Sequence, residues 1–112
     1  MRILVTGAKG KLGSQLVRVL SNSHDVTGYD ADDLDITNFP LVKTVIGQLK
    51  PQLVINAAAW TDVDACATNP EKAIVINGYG AQNLAIATHN INSVIMQISS
   101  NEVFDGKLDR PY

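Results

Sequence analysis

A single cysteine, Cys66, is all the chain carries. No disulfide can close within it, and this suits a reducing compartment. No run of lysine and arginine occurs. With 9 basic and 11 acidic side chains the net charge is −2, which argues against a nucleic-acid or membrane partner. No apolar stretch approaches the roughly 20 residues of a membrane span. No segment shows the charged start, apolar middle and small-residue end of a signal peptide. These absences predict a cytoplasmic protein. His24 and His89 have no metal-ligand spacing, so no metal site is expected and both are read as surface residues. Cys66 has neither a helix start nor a paired histidine to activate it and is read as inert. What remains is an ordinary globular composition. The 112 residues are 46% apolar and 18% charged, which fits one domain over 1–112.

Periodicity predicts alternating strands and helices. Residues 2–6 read as a strand buried on both faces. Residues 11–20 read as a helix with Leu12, Leu16, Val17 and Leu20 on one side. Residues 26–29 form a second strand, and 31–38 an acidic loop. Pro40 opens a helix to about Lys50 that faces inward through Leu41, Val45, Ile46 and Leu49. Residues 53–56 form a third strand and 57–67 a loop. Pro70 opens a long helix to about His89, packing through Ala73, Ile74, Leu84 and Ala87. Residues 94–99 form a fourth strand, and the tail from 100 to 112 is polar and irregular. Such alternation implies parallel βαβ units. The fold class is therefore α/β, a Rossmann-like parallel sheet in the order 3-2-1-4. The first two helices are expected on one face and the third crossover helix on the other. One helix cannot shield all of that second face, so the architecture reads as incomplete. The fourth strand would be an open edge exposing Val94, Ile95, Met96 and Ile98, which favours association, including a homo-oligomer.

The chemistry concentrates at the carboxyl ends of the strands. Gly7, Gly10 and Gly13 follow the first strand and open the first helix. This spacing is GxxGxxG rather than GxGxxG, but strand, glycine turn and helix together form a pyrophosphate cradle. Gly7 makes the turn, Gly10 admits the phosphates and Gly13 lets helix pack on sheet. Asp30 ends the second strand, where an acid can bind the ribose hydroxyls of NAD and repel the 2′-phosphate of NADP. Lys9 and Lys11 can tolerate that phosphate, so the choice between NADH and NADPH stays open. Asp35 and Ile36 border the adenine side. Ala58, Ala59 and Trp60 follow the third strand, where small side chains let the ribose and nicotinamide half approach the backbone. Ser100 and Asn101 follow the fourth strand. There a hydroxyl can bind a substrate oxygen, and a capping serine is an equal reading. Asn77 lies mid-helix on the inward side, which suggests a structural bond to a neighbouring loop.

The glycine turn, Asp30, Leu34-Asp35-Ile36-Thr37, the block from Pro51 to Asp64, Val75-Ile76-Asn77 and the block from Ile98 to Gly106 together resemble the dTDP-4-dehydrorhamnose reductases. These belong to the extended short-chain dehydrogenase/reductase group. The resemblance covers essentially the whole chain. It implies NADPH- or NADH-dependent reduction of the 4-keto group of dTDP-4-dehydro-L-rhamnose in dTDP-rhamnose biosynthesis, with a nucleotide sugar as substrate. The cofactor positions it implies are Gly7, Gly10, Lys11, Leu12, Gly13, Asp30, Asp35, Ile36, Ala58, Ala59 and Trp60. It implies Ser100 as the catalytic hydroxyl, with Ser100 and Asn101 toward substrate. The family's Ser-Thr-Asp-Tyr-Val-Phe-Asp-Gly stands here as Ser-Ser-Asn-Glu-Val-Phe-Asp-Gly, so Asn101 and Glu102 replace an acid and an aromatic. Ala67 stands where the family tends to glutamate. Tyr29, Tyr79 and Tyr112 have no lysine four residues on. The proton-donating Tyr-x-x-x-Lys pair is therefore missing, and the chain is expected to be the amino-terminal, cofactor-binding portion, inactive alone. A non-catalytic NAD(P)-binding regulatory relative, and a sugar-nucleotide epimerase or dehydratase, remain as alternatives.

Overall fold

A computed structural model describes residues 1–112. Four parallel strands make one sheet: β1 (Arg2–Thr6), β2 (Asp25–Tyr29), β3 (Leu53–Asn56) and β4 (Val94–Gln97). Their order is β2-β1-β3-β4. The expected order 3-2-1-4 is therefore corrected, because β3 lies beside β1 on the side away from β2. Right-handed crossovers permit both arrangements, so handedness does not choose between them. Burial does. Ile3, Leu4, Val5 and Thr6 of β1 and Val54, Ile55 and Asn56 of β3 are buried, while no residue of β2 is. The apolar strands take the centre, and the more polar Asp-Val-Thr-Gly-Tyr strand takes an edge.

The same reversal redistributes the helices. α1 (Lys11–Leu20) alone covers one face, where Leu16, Val17 and Leu20 pack on Ile3, Val5 and Ile55. Leu12 does not join them and is 46% exposed. The other face carries α2 (Phe39–Leu49) and the far half of the long crossover rod. Its core gathers Leu4, Leu34, Ile36, Val42, Ile46, Val54, Leu84 and Ala87. Leu34 and Ile36 belong to the loop after β2, so this loop plugs the core as it crosses to the second face. Burying a side chain such as Ile46 is worth about 1.5–3 kcal/mol.

Local chemistry sets the ends of α2. Asn38 caps it, its side chain accepting from the Leu41 N–H at 3.1 Å, and Pro40 fits the first turn. Lys50 ends it in the left-handed conformation at φ 44°, and Pro51 prevents continuation. Within the expected loop 57–67 the chain instead forms a short helix, α3 (Val63–Thr68), capped by Asp62. The rod expected from Pro70 to His89 is continuous but not uniform. It comprises α4 (Pro70–Ala73), a π-helical turn (Ile74–Tyr79) and α5 (Gly80–His89). Leu84 and Ala87 are buried as expected, whereas Ile74 is 56% exposed. A 3-10 turn (Asn101–Val103) is the only regular element after β4.

β4 is an open edge. Val94 and Met96 pair with Leu53 and Ile55, which places them on the α1 face. They lie outside the cluster packed beneath α1 and are 63% and 51% exposed.

Candidate dinucleotide site

The glycine turn is shaped by contacts that leave no room for side chains. Gly7 has φ +70°, and a Cβ there would lie 2.7 Å from the Ala58 nitrogen. A Cβ on Gly13 would overlap the Gly7 carbonyl. Strand, turn, helix start and the chain after β3 are thus pressed together through backbone alone. The Gly10 N–H donates to the Gly7 carbonyl at 3.0 Å, and the Ala57 N–H to the Thr6 carbonyl at 3.1 Å.

α1 begins at Gly10 with no side-chain cap and no acid in its first turn. The N–H groups of Lys11 and Leu12 are therefore left for an outside acceptor at the positive end of the helix dipole. Such a set of free donors fits a pyrophosphate.

In front of the turn lies a cleft of about 490 Å³. Gly7 and Gly10 floor it. Asp30, Ala31, Leu34, Asp35, Ile36 and Thr37 form one wall, and Ala57, Ala58, Ala59 and Trp60 the other, with Ile76 between. Asp30 is oriented by backbone donors. Its Oδ2 accepts from the Lys9 N–H at 2.8 Å and its Oδ1 from the Ala31 N–H at 2.9 Å. These bonds, Lys9 first, hold its carboxyl below the usual value near 3.8. Each oxygen keeps acceptor capacity for a ribose hydroxyl. The Lys9 ammonium meets Asp32 at 3.2 Å. That hydrogen bond and the Asp32 charge raise the Lys9 pKa above its ordinary value, although both groups are largely exposed and the pair is worth little in stability.

The opposite wall is held by carboxamides. Asn56 Oδ1 accepts from the Thr6 hydroxyl at 2.6 Å and from the Ala58 N–H at 3.1 Å, while its Nδ2 donates to Gln97 Oε1 at 2.7 Å. Asn77 bonds both backbone groups of Trp60, which makes the expected structural bond explicit. The Cys66 thiol donates to the Trp60 carbonyl at 3.4 Å, and the Lys72 ammonium sits 4.5 Å from the Trp60 ring centroid.

Of the residues expected to bind cofactor, Gly7, Gly10, Asp30, Asp35, Ile36, Ala58, Ala59 and Trp60 line the cleft. Lys11 and Leu12 offer backbone N–H groups from the helix start, and Gly13 acts by packing. Ser100 and Asn101 are not brought into the lining. Ser100 Oγ accepts from the Glu102 N–H at 3.2 Å as the cap of the 3-10 turn, and Asn101 donates to Glu102 at 2.9 Å. Sequence reasoning missed Ala31, Leu34, Thr37 and Ile76 as cleft residues. Thr37 was within reach, because its hydroxyl and N–H both donate to Asp35 Oδ1, the local Asx geometry its spacing allows. Ile76 carried no local signal.

Comparison with known proteins agrees with this geometry. A family model described as the RmlD substrate binding domain matches residues 1–112. The dTDP-4-dehydrorhamnose reductase of Streptomyces griseus is 39% identical over 112 residues, covering 99% of this chain and 37% of that protein. A dTDP-4-dehydrorhamnose reductase structure from Clostridium acetobutylicum superposes with a TM-score of 0.94 at 42% identity, over 100% of this chain and 40% of that one. One from Bacillus anthracis, in complex with NADP, gives 0.91 at 39% identity, over 98% and 39%. The chain thus spans well under half the length of these relatives.

Proposed function

This chain belongs to the RmlD substrate binding domain family, and on that premise we propose that it forms the dinucleotide-binding part of an NAD(P)H-dependent nucleotide-sugar reductase. The reaction proposed for the whole protein is reduction of the 4-keto group of dTDP-4-dehydro-L-rhamnose to dTDP-L-rhamnose. The observation that carries this reading is the uncapped start of α1 behind a turn closely packed at Gly7 and Gly13, opening on a cleft with an acid on one wall.

The reduced coenzyme, when bound, supplies a hydride to the carbonyl carbon. The chain's own residues bind and orient it. N–H groups of Lys11 and Leu12 take the pyrophosphate. Asp30 accepts from the adenosine ribose hydroxyls, and its charge disfavours a 2′-phosphate. Ala58, Ala59 and Trp60 bring the nicotinamide half against backbone. Neither Tyr29 nor Tyr79 is followed by lysine four residues on, so neither holds the proton for the carbonyl oxygen in the manner of the family.

Calorimetric titration of the purified 112-residue chain with NADH and with NADPH tests the reading. The expected result is saturable binding with NADH tighter, and no ketone-dependent NADH oxidation. A folded chain that binds neither coenzyme overturns it. The self-paired Asn101 and Glu102, standing where the family has an acid and an aromatic, favour a second reading: an NAD(P)-binding regulatory relative without turnover. Coenzyme binding together with no response to a nucleotide sugar, in the longest natural form of the protein, would select it.

A further inference from the structure

The rod from Pro70 to His89 grips both walls of the cleft. Asn77, in the π-helical turn, meets Trp60 with both ends of its carboxamide. Its Oδ1 accepts from the Trp60 N–H at 2.8 Å, and its Nδ2 donates to the Trp60 carbonyl at 3.0 Å. Six residues on, Asn83 Nδ2 donates to the carbonyls of Ile36 at 2.9 Å and Thr37 at 3.2 Å. Between the two, Gly80 brings the rod's backbone onto Ile36, where a Cβ would lie 2.6 Å from the Ile36 side chain. One continuous element therefore touches both the loop after β3 and the loop after β2. The π-helical turn that carries Asn77 is of the kind found frequently at functional sites.

We propose that Asn77 and Asn83 are positioning residues for the coenzyme cleft. Asn77 holds the wall that meets the nicotinamide half, and Asn83 holds the wall that meets the adenosine half. The inference rests on the dinucleotide reading above. Its physical content is preorganisation: loops already held at the bound spacing need not be ordered when the ligand arrives. Neither asparagine has to touch the coenzyme.

The test uses the 112-residue chain, its variants N77A, N77D and N83A, and two ligands, NADH and ADP. Asn77→Asp keeps the size and the acceptor but loses the donor to the Trp60 carbonyl, so it serves if N77A does not fold. Trp60 is the only tryptophan, so its emission reports that loop directly, with or without ligand. The N77 variants should shift Trp60 emission in the free protein and weaken NADH about threefold to tenfold, the loss expected for one or two partly exposed hydrogen bonds, while ADP affinity stays as in the parent chain. N83A should weaken NADH and ADP alike and leave Trp60 emission unchanged. A general loss of stability would not divide the two ligands in this way. Unchanged Trp60 emission in the N77 variants, equal loss of NADH and ADP in them, or unchanged ADP affinity in N83A would overturn the proposal. If the parent chain binds neither ligand, the dinucleotide reading falls. The Trp60 emission of the N77 variants then decides the grip on its own.

Discussion

Asp30 shows how one residue carries both a local and a long-range message. Its place at the end of a strand, 17 residues after Gly13, is visible in sequence. The two backbone donors that orient it, Lys9 and Ala31, come from the turn across the cleft and from its own neighbour. Because they lower its folded pKa, the carboxylate adds stability that is fully present above the ordinary value near 3.8. That stability is lost as pH falls through the lower folded value. Asp30→Asn should therefore unfold at a lower temperature than the parent chain at pH 7, with the gap narrowing toward pH 3. A gap that stays constant between these pH values would remove the carboxylate's role. Gly13 was equally legible, since its contact with the Gly7 carbonyl lies within one turn and helix start, whereas the press of Ala57 and Ala58 on Gly7 comes from the loop after β3. Ser100 was not, because whether a hydroxyl at a strand end faces a cleft or caps a turn depends on where the chain goes next.

Elements were legible where their signals are local. α2 was foreseen from Pro40 and an apolar stripe, and its ends follow from Asn38, Lys50 and Pro51. α3 was missed because its six residues bury nothing and only the Asp62 cap marks it. The π-helical turn was not foreseen: one extra residue shifts the apolar pattern by about 100°, and Ile74, expected to pack with Leu84 and Ala87, is exposed; its clearest consequence, the Asn77 grip on Trp60, is a contact 17 residues apart. The stability of α2 should reside in its buried stripe. Ile46→Ala, at a fully buried position in the core cluster that includes Leu4 and Leu84, should cost about 2–4 kcal/mol. Lys43→Ala on the exposed side should change stability by less than about 0.5 kcal/mol. Urea unfolding of the two variants checks this, and equal effects would show that α2 is not packed as described.

At the scale of the molecule, the sheet has two covered faces near β1 and one bare corner beyond β3. Val94 and Met96 stand there, 63% and 51% exposed, on an edge strand with unpaired backbone groups. An apolar edge of this kind templates pairing with another chain. The 112-residue chain should therefore associate as concentration rises, and Met96→Lys should shift its sedimentation toward the monomer without lowering its unfolding temperature. A parent chain that remains monomeric at high concentration would show the edge to be self-protected.

The sequence by itself determined the class of the fold, the parallel pairing of its strands and the dinucleotide cradle. Each of these rests on periodicity and on steric needs among residues close in the chain. The tertiary structure alone decided the strand order, the assignment of helices to faces and the walls of the cleft. Right-handed crossovers allow β3 on either side of the first βαβ unit, and the choice falls to which strands bury most apolar surface. Once β3 lies beside β1, α2 and α5 share a face, Leu34 and Ile36 plug the core between them, and Asn77 and Asn83 come within hydrogen-bond reach of loops that sequence distance keeps apart.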